Sequence, residues 1–406
     1  MKVLYVVAAC LSNNTSANMS HNGYVQGLLE NDCDVDILMA KDSWGQHDNM
    51  LPMWEEAHYH IYRAEAWHDK IRKRFNRSNR ISVNAGGGVN TDECHEVTSG
   101  VKFKKSIREI VKDIYYRIFP SDPIYPLEKT WLKSAMRFKG ETEYDLVVSN
   151  SSPAASHKIV AQLTSKGRLK YKRWIQIWED PWYFDLYGGH SEAIRVEEHA
   201  LLKCADEIYY VSPLTLVYQQ RHYADCAHKM KHIPLPYFKF SKNSGVKSSQ
   251  WSFGYFGDYY SKTRNLSPFY SALLKVGADG YIYGDSDIFL QSTDKIVVSG
   301  RVTLDKLNLV QQKTSVLVHL SNLSGGQIPG KIYHYSASDK PILFILDGTD
   351  DEQRILKEYF GQFGRFCFCN NNEESIARAM EEIIQKDELC VPLECFAPQS
   401  VVRDIL

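Results

Sequence analysis

The sequence predicts an α/β fold of two Rossmann-like domains whose parallel sheets face an interdomain cleft. Residues 1–9 form a continuous apolar run, which is typical of a parallel strand buried on both faces. Residues 251–256 begin a second run of this kind, and residues 242–250 between the two are polar, as a linker is. The 406 residues are enough for two domains of ordinary size, which we place at residues 1–240 and 251–390.

Composition excludes several classes of protein. Hydrophobic residues make up 44% of the chain, including 25 tyrosines, 17 phenylalanines and 8 tryptophans, which excludes a disordered protein. The formal net charge of -1 provides no overall field that would attract nucleic acid. Nine scattered cysteines form no Cys-x-x-Cys pair, which argues against a disulfide framework or a zinc site and for the cytoplasm. No run reaches the roughly 18 apolar residues of a membrane-spanning helix.

The first half opens in the order that a Rossmann-like unit requires. The strand at 1–9 is followed by a polar loop at 10–22, a short helix at 23–29 and a second strand at 35–40. Further along, residues 102–118 carry apolar side chains at helical spacing beside a face of lysines and arginines. Such a helix can lie on an anionic membrane surface, or it can dock on its own domain with a solvated basic edge.

Two later strands of the first half end in polar residues. Residues 144–153 form a strand that breaks into a loop of small residues, and His157 follows early in the next helix. Residues 174–178 form another strand, which ends in Glu179 and Asp180. The carboxyl ends of parallel strands are where open α/β sheets bind ligands, so these side chains are candidates for a cleft. Asp180 can also serve only as a cap of the following turn.

The second half repeats the pattern with more glycines and basic residues. Its strands are predicted at 251–256, 281–284 and 296–302. Each position near their ends is either a ligand contact or an ordinary loop residue. The candidate contacts are Gly257, Lys262 and Arg264, which follow the first of these strands and precede a helix.

The most informative stretch follows the predicted strand at 315–320. Gly325, Gly326 and Gly330 lie in the loop after it and let backbone N–H groups approach a ligand closely. About ten residues of helical character follow, with Lys331 in the first turn. The positive end of a helix dipole and a full charge beside it suit a diphosphate.

These motifs resemble those of nucleotide-sugar glycosyltransferases of the GT-B fold, in particular the family-four-like bacterial enzymes that build surface polysaccharides. Residues 329–335, Pro-Gly-Lys-Ile-Tyr-His-Tyr, and 340–343, Lys-Pro-Ile-Leu, resemble the family's Pro-x-Lys-hydrophobic-x-Glu-Tyr and Gly-Lys-Pro-hydrophobic signature. Residues 144–153 and 179–182 resemble its Tyr-Asp-hydrophobic-hydrophobic-x-Ser-Ser-x-Pro and Asp-Pro-Trp elements.

The chain departs from the family pattern at two acidic positions, and also at Asp258, where the family often has an arginine after the turn glycine. His334 stands where the family usually has the Glu that holds the donor ribose, and the other acidic position falls near Gly326. The resemblance nevertheless implies a GT-B fold in which residues 397–406 form a closing helix over the first domain. It also implies a metal-independent hexosyl transfer, retaining the anomeric configuration, from a nucleotide diphospho-sugar to a glycan or lipid-linked saccharide. No cofactor is implied beyond that donor substrate.

The resemblance assigns roles to three sets of residues. The first domain would supply the catalytic candidates Asp180, Glu179 and His157. Acceptor contacts would come from Asn13 and Asn14. The donor would contact Gly257, Lys262, Arg264, Gly284, Val302, Gly325, Gly326, Gln327, Ile328, Lys331 and His334. His334 has the alternative of a histidine satisfied within its own helix.

Two other functions fit the same sequence. A GT-B-fold epimerase would use the same donor half and act on the nucleotide sugar itself. A non-catalytic scaffold derived from such an enzyme would explain the two missing acidic residues. For the transferase we expect a cytoplasmic location, on the inner face of the membrane if residues 102–118 bind anionic lipid, and no nucleic-acid partner.

Overall fold

The computed structural model describes the chain except for residues 14, 42–50, 52, 66–121, 187–189, 238–250 and 389. The predicted linker at 242–250, the basic segment at 102–118 and Asn14 lie outside the described residues. Among the residues that the structure does describe, no helix is both long and apolar enough to cross a bilayer.

The first half is built on a sheet of seven parallel strands in the order β3-β2-β1-β4-β5-β6-β7. The chain moves outward from β1 to β3 and then returns to β4 on the other side of β1. This reversal makes the gap between the ends of β1 and β4 the topological switch point of the sheet. The strands are Lys2–Val7 (β1), Asp34–Ala40 (β2), His58–Tyr62 (β3), Tyr144–Ser151 (β4), Tyr171–Trp178 (β5), Glu207–Tyr210 (β6) and Met230–His232 (β7).

The described helices of this half are Ser16–Glu30 (α1), Lys129–Ala135 (α2), Ala155–Ser165 (α3), Glu192–Cys204 (α4) and Pro213–His222 (α5). Helix α1 begins earlier than predicted, so much of the expected polar loop at 10–22 is helical. Thr15 caps the helix, its Oγ1 accepting from the Asn18 backbone N–H at 3.1 Å. The Asn22 amide donates back to the Leu11 carbonyl at 2.9 Å. Polar side chains are therefore used inside the fold here.

The second half is a sheet of six parallel strands in the order β10-β9-β8-β11-β12-β13. Its switch point lies between the ends of β8 and β11, by the same reasoning as in the first half. The strands are Ser252–Phe256 (β8), Asp279–Tyr283 (β9), Ile296–Ser299 (β10), Val316–Leu320 (β11), Ile342–Leu346 (β12) and Phe366–Asn370 (β13). The helices are Ser267–Val276 (α6), Leu304–Lys313 (α7), Lys331–Tyr335 (α8), Asp350–Gly361 (α9), Glu373–Lys386 (α10) and Pro398–Arg403 (α11).

A continuous apolar core joins the two halves. One cluster of buried side chains includes Tyr24 and Leu235 from the first half with Tyr333 and Phe344 from the second. Tyr333 on α8 is fully buried, and its hydroxyl donates to the Val211 carbonyl at 2.8 Å. The short helix that carries Lys331 is therefore anchored on both halves.

The last helix returns to the first half. Helix α11 packs on α1, where the Asn31 amide donates to the Gln399 carbonyl at 2.9 Å and the Gln399 amide to the Glu30 carbonyl at 3.1 Å. The two helices approach so closely at Gly27 that an added Cβ would lie 2.2 Å from the Pro398 carbonyl oxygen. Only glycine fits at this crossing.

We expect Gly27→Ala to destabilise the protein by about 1–3 kcal/mol, because the methyl group overpacks the contact between α1 and α11. Urea denaturation followed by circular dichroism measures the change. Gly361→Ala is the matched control, since a Cβ there meets none of the described residues within 4 Å and the substitution also removes a helical glycine. Equal stability of Gly27→Ala and the parent would mean that α11 does not pack on α1 in solution.

Candidate functional site

Lys331 lies at the switch point of the second sheet. It is the first residue of α8, which follows the loop after β11, and its Nζ donates to the Phe256 carbonyl at the end of β8. A Cβ on Gly257 would lie 3.7 Å from that Nζ. The predicted donor contacts Gly257 and Lys331 are thus brought together from the two loops that border the crevice.

The electrostatic environment of Lys331 is set by burial and by neighbouring charges. Burial lowers the pKa of its ammonium to about 8, and Arg264 and Arg301 add to this effect while Asp258 opposes it. Lys331 therefore remains mostly charged at pH 7. The charges of Arg264 and Arg301 lower the pKa of Lys331, so three cations lie around this crevice. The sequence predicted two of them, Lys331 and Arg264.

Arg301 is a residue that sequence reasoning missed. Its Nε donates to Asp258 Oδ1 at 3.0 Å and lies 3.3 Å from Asp285 Oδ2, while the Asp285 backbone N–H donates to Asp258 Oδ1 at 3.0 Å. These contacts tie the ends of β8, β9 and β10 together. The sequence signal for Arg301 was Asp258, because a carboxylate at one strand end is stabilised by a cation at a neighbouring strand end.

The glycine-rich loop is pressed against the first half. The Gly326 carbonyl accepts from Ser212 Oγ at 2.6 Å and from Thr215 Oγ1 at 2.8 Å, at the start of α5. A Cβ on Gly326 would come within 3.0 Å of the Thr215 backbone, and Gly325 adopts a φ of +90°. The loop lies between the halves. Helix α8 after the loop spans five residues, whereas about ten were predicted. Its dipole is therefore small, and most of the positive charge near the loop comes from side chains.

Gln327 connects this loop to the end of β5. Its Nε2 donates to Asp180 Oδ1 at 2.6 Å and to Asp185 Oδ1 at 3.1 Å, and its Oε1 accepts from the Leu186 N–H at 2.6 Å. One amide of the second half thus holds two carboxylates of the first. Gln327, predicted as a donor contact, is engaged in this junction.

Asp180 and Glu179 are acids with raised pKa values. Burial raises the pKa of Asp180 to about 6, and the Asp185 charge adds to it while the Gln327 hydrogen bond opposes it. Burial also raises the pKa of Glu179 well above its usual range, with a further contribution from Asp180. Glu179 Oε1 lies 3.7 Å from His21 Nδ1. Because burial lowers the pKa of His21 to about 4, this contact joins two groups that favour their neutral forms.

A polar cluster occupies the switch point of the first sheet, and sequence reasoning missed most of it. The Tyr5 hydroxyl accepts from Asn150 Nδ2 at 2.9 Å and lies 3.2 Å from His21 Nδ1, next to Glu179. The change from an apolar run at 146–148 to polar residues at 149–152 at the end of β4 was a signal for Asn150. Nothing in the sequence separated His21 from the other polar residues of its segment.

His157 lies in the core, which differs from its expected place in a cleft. Its ring is fully buried on α3, Nδ1 is 2.7 Å from Ser149 Oγ, and the ring centroid is 4.2 Å from that of Trp178. Burial lowers its pKa to about 3. Because α3 packs on β4, its inward face meets the sheet and not solvent. His157 therefore supports the strand ends from beneath.

The remaining predicted contacts have mixed positions. Lys262 is exposed on the turn after β8, and His334 is partly exposed with its pKa lowered to about 4 by burial and by Lys331. Gly284 has no room for a side chain, since a Cβ would lie 1.9 Å from the Gly257 carbonyl oxygen. Val302 and Ile328 are half-buried against the core, and the Asn13 carbonyl accepts from the Asn18 amide at 2.8 Å.

One group of described residues has the make-up of a metal site. His199, Asp225 and Cys226 place their ligand atoms within 4.8 Å of one another, on α4 and in the turn after α5. Asp225 also pairs with Lys203 at 3.2 Å, which competes for that carboxylate. This group is separate from the switch points.

No family model and no curated protein matches this sequence. Solved structures do match the arrangement of two parallel sheets. A glycosyltransferase from Rickettsia africae superposes over 99% of this chain and 93% of its own, with a TM-score of 0.51 at 14% identity. The chain has the GT-B fold.

Two further structures resemble the chain less well. A UDP-GlcNAc 2-epimerase from Methanocaldococcus jannaschii has a TM-score of 0.48 at 11% identity, covering 100% of this chain and 98% of that one. A lipopolysaccharide outer core galactosyltransferase has a TM-score of 0.45 at 12% identity and covers all of both chains. In the GT-B fold of this protein, Lys331 and the first-half carboxylates lie on the two sides of the junction between the halves.

We expect the parent to lose stability as the pH rises and Asp180→Asn to keep its stability. The folded carboxyl has a pKa of about 6 against 3.8 in a model compound, so the folded state binds the proton more tightly. Stability therefore falls between about pH 4 and pH 6 in the parent. The variant should gain on the order of 2–3 kcal/mol over the parent as pH rises from 4 to 7.

Urea denaturation across that pH range measures the difference, and the exposed Asp351→Asn serves as the control. The amide oxygen of the introduced asparagine can still accept from Gln327, so the comparison isolates the charge. Parallel profiles for Asp180→Asn and the parent would refute a raised pKa at Asp180.

Proposed function

We propose that this chain is a glycosyltransferase that moves a sugar from a nucleotide diphospho-sugar to a glycan or lipid-linked acceptor. The observation that carries the proposal is the pairing of a cationic crevice at Lys331 with the carboxylates of Asp180 and Glu179 through one glycine-rich loop. The likeness in fold to a glycosyltransferase of known structure supports it at the level of the fold.

The cations suit the leaving group of this reaction. Breaking the anomeric bond places growing negative charge on a nucleoside diphosphate, and fixed positive charges stabilise that charge more in the transition state than in the ground state. Lys331 and Arg264, with N–H groups of the glycine-rich loop, would bind the diphosphate. A low-dielectric crevice strengthens the interaction. This chemistry requires no metal ion.

The carboxyl groups suit the acceptor side. A carboxyl with a pKa of about 6 can accept a proton from a sugar hydroxyl near neutral pH, and a neutral carboxyl can donate a hydrogen bond. Asp180 is the group that we assign to the reacting hydroxyl, with Glu179 beside it. By the family resemblance, we propose that the anomeric configuration is retained, so the hydroxyl attacks from the face that the diphosphate leaves.

A membrane location completes the proposal. Synthesis of a surface polysaccharide takes place on lipid-linked intermediates at the cytoplasmic face, and the basic segment at 102–118 would hold the enzyme there by its attraction to anionic lipid. Co-sedimentation with phosphatidylglycerol liposomes at low salt tests this attraction, and no binding there would end it.

Lys331→Ala and Arg264→Ala should each weaken binding of UDP or GDP at least tenfold, or about 1.4 kcal/mol, because each removes a charge that faces the diphosphate. Isothermal titration calorimetry measures the affinity. Lys313→Ala, which removes an exposed lysine at the end of α7, is the control. Affinity in the parent should also fall as pH rises past 8, where Lys331 loses its proton, and Lys331→Arg should abolish that fall. Unchanged affinity in both alanine variants would remove the proposed phosphate site.

A second function, epimerisation of the nucleotide sugar, is favoured by the same two carboxyls, since an epimerase needs acid and base groups over the sugar ring. The two functions differ in what the donor does alone. We expect UDP-, GDP- and other nucleotide sugars to keep their sugar configuration when incubated with the protein, and a glycoside to form only with a saccharide acceptor. Proton NMR of the anomeric region follows both outcomes, and an epimer formed from donor alone would overturn the transferase assignment.

A further inference from the structure

A pocket of about 200 Å³ lies beside the junction between the halves. Its walls come from the segment after β5, at Pro181 and Phe184, from α5, at Gln219 and His222, and from the glycine-rich loop at Gly325 and Gly326. The lining is mainly apolar. A pocket of this size is smaller than those that hold drug-sized ligands and suits a single small ring.

Aromatic rings form one side of this pocket. Phe184 stacks on His222 with ring centroids 3.8 Å apart and planes 17° apart, and Phe184 remains 36% exposed. Tyr183 meets Phe184 edge-on at 4.7 Å. An exposed aromatic ring fixed in place by two others offers apolar area without a large loss of side-chain freedom.

A buried amide gives the pocket a polar requirement. Gln219 lines it and is 1% exposed, and its Nε2 donates to Glu198 Oε1 at 3.0 Å. Because the nitrogen faces the carboxylate, the Oε1 is directed away from Glu198, and among the described residues it has no hydrogen-bond partner. A buried acceptor without a donor costs about 1–3 kcal/mol, and a ligand hydroxyl that reaches this oxygen would recover that cost.

Glu198 holds the walls in position. This fully buried carboxylate also accepts from the Trp182 N–H at 3.1 Å, the Tyr183 N–H at 2.8 Å and the Tyr223 hydroxyl at 3.0 Å. The bonds link the segment after β5 to α5, so the aromatic and amide walls are fixed relative to each other. The pocket is therefore built before any ligand enters.

We propose that this pocket binds the saccharide ring of the acceptor, an assignment that rests on the proposed sugar transfer. A pyranose combines an apolar face of C–H groups with hydroxyl donors, which matches aromatic walls next to one orphaned amide oxygen. Most of the lining comes from the first half, whereas the cationic crevice for the nucleotide lies at the switch point of the second. The lining residues Pro181 and Gly326 are the chain neighbours of Asp180 and Gln327, which are hydrogen-bonded to each other, so the pocket lies near the carboxyl that we assign to the reacting hydroxyl.

The test uses the full chain with the methyl glycosides of glucose, galactose, mannose and N-acetylglucosamine as probes. Saturation-transfer difference NMR should show contact with at least one of them in the parent. Phe184→Ala should reduce that signal roughly fivefold or more, and Phe184→Tyr should restore it because the aromatic wall is kept. The matched control is Phe289→Ala, because Phe289 is 90% exposed and does not line the pocket. This variant should leave the signal unchanged.

Binding of UDP and GDP, measured as a shift of the melting temperature, separates this proposal from the function on which it rests. We expect the shift to be equal in Phe184→Ala and the parent. No probe signal in a parent that binds nucleotide, or an equal signal in Phe184→Ala, overturns the saccharide pocket alone. Loss of the nucleotide shift in Phe184→Ala overturns the acceptor assignment, since the pocket would then serve the donor. A parent that binds glycoside but no nucleotide overturns the proposed transfer instead.

Discussion

The glycine-rich loop is held by hydrogen bonds from the first half, and the candidate site depends on that constraint. The Gly326 carbonyl accepts from two hydroxyls at the start of α5, and the Gln327 amide holds the carboxylates at the end of β5. Four residues after Gln327, Lys331 reaches the end of β8. One short segment therefore fixes the distance between the cation of the second half and the acids of the first. If the halves move relative to each other, either these hydrogen bonds break or the loop moves with the first half.

The same constraint explains the unusual acid strengths at the site. Burying a carboxyl without a cation disfavours its charged form, and the described partners of Asp180 are a neutral amide and another acid, Asp185. The crevice at Lys331 has the opposite composition, since Lys331, Arg264 and Arg301 outnumber the carboxylates of Asp258 and Asp285. The two sides thus differ in the charge that they favour: one suits a polyanion and the other suits neutral hydroxyl groups. A nucleotide sugar and a saccharide differ in this respect too.

Features set by residues close together in the sequence could be predicted, and contacts between residues far apart in the sequence could not. The buried parallel strands were predictable because their apolar runs are contiguous. The places of Gly257, Arg264 and Lys331 at a strand end or a helix start were predictable because turn and helix-start residues have local signatures. His157 was misplaced because strand and helix periodicity does not say which helix face meets the sheet. Arg301 and Gln219 were missed because their partners, Asp258 and Glu198, lie 43 and 21 residues away. Pairings of this kind exist only once the strands are ordered.

The departures from the family pattern fit a redistribution of contacts. Asp258 stands where the family often has an arginine after the turn glycine. Arg301, which follows β10, pairs with Asp258 and lowers the pKa of Lys331. Gly326 stands near the first missing acid, and its lack of a side chain is what allows α5 to approach the loop. An acidic side chain at this position would collide with Tyr218 and Thr215. The missing acid is therefore a condition for the close contact that brings the Asp180 carboxyl and the Gln219 pocket beside the nucleotide crevice.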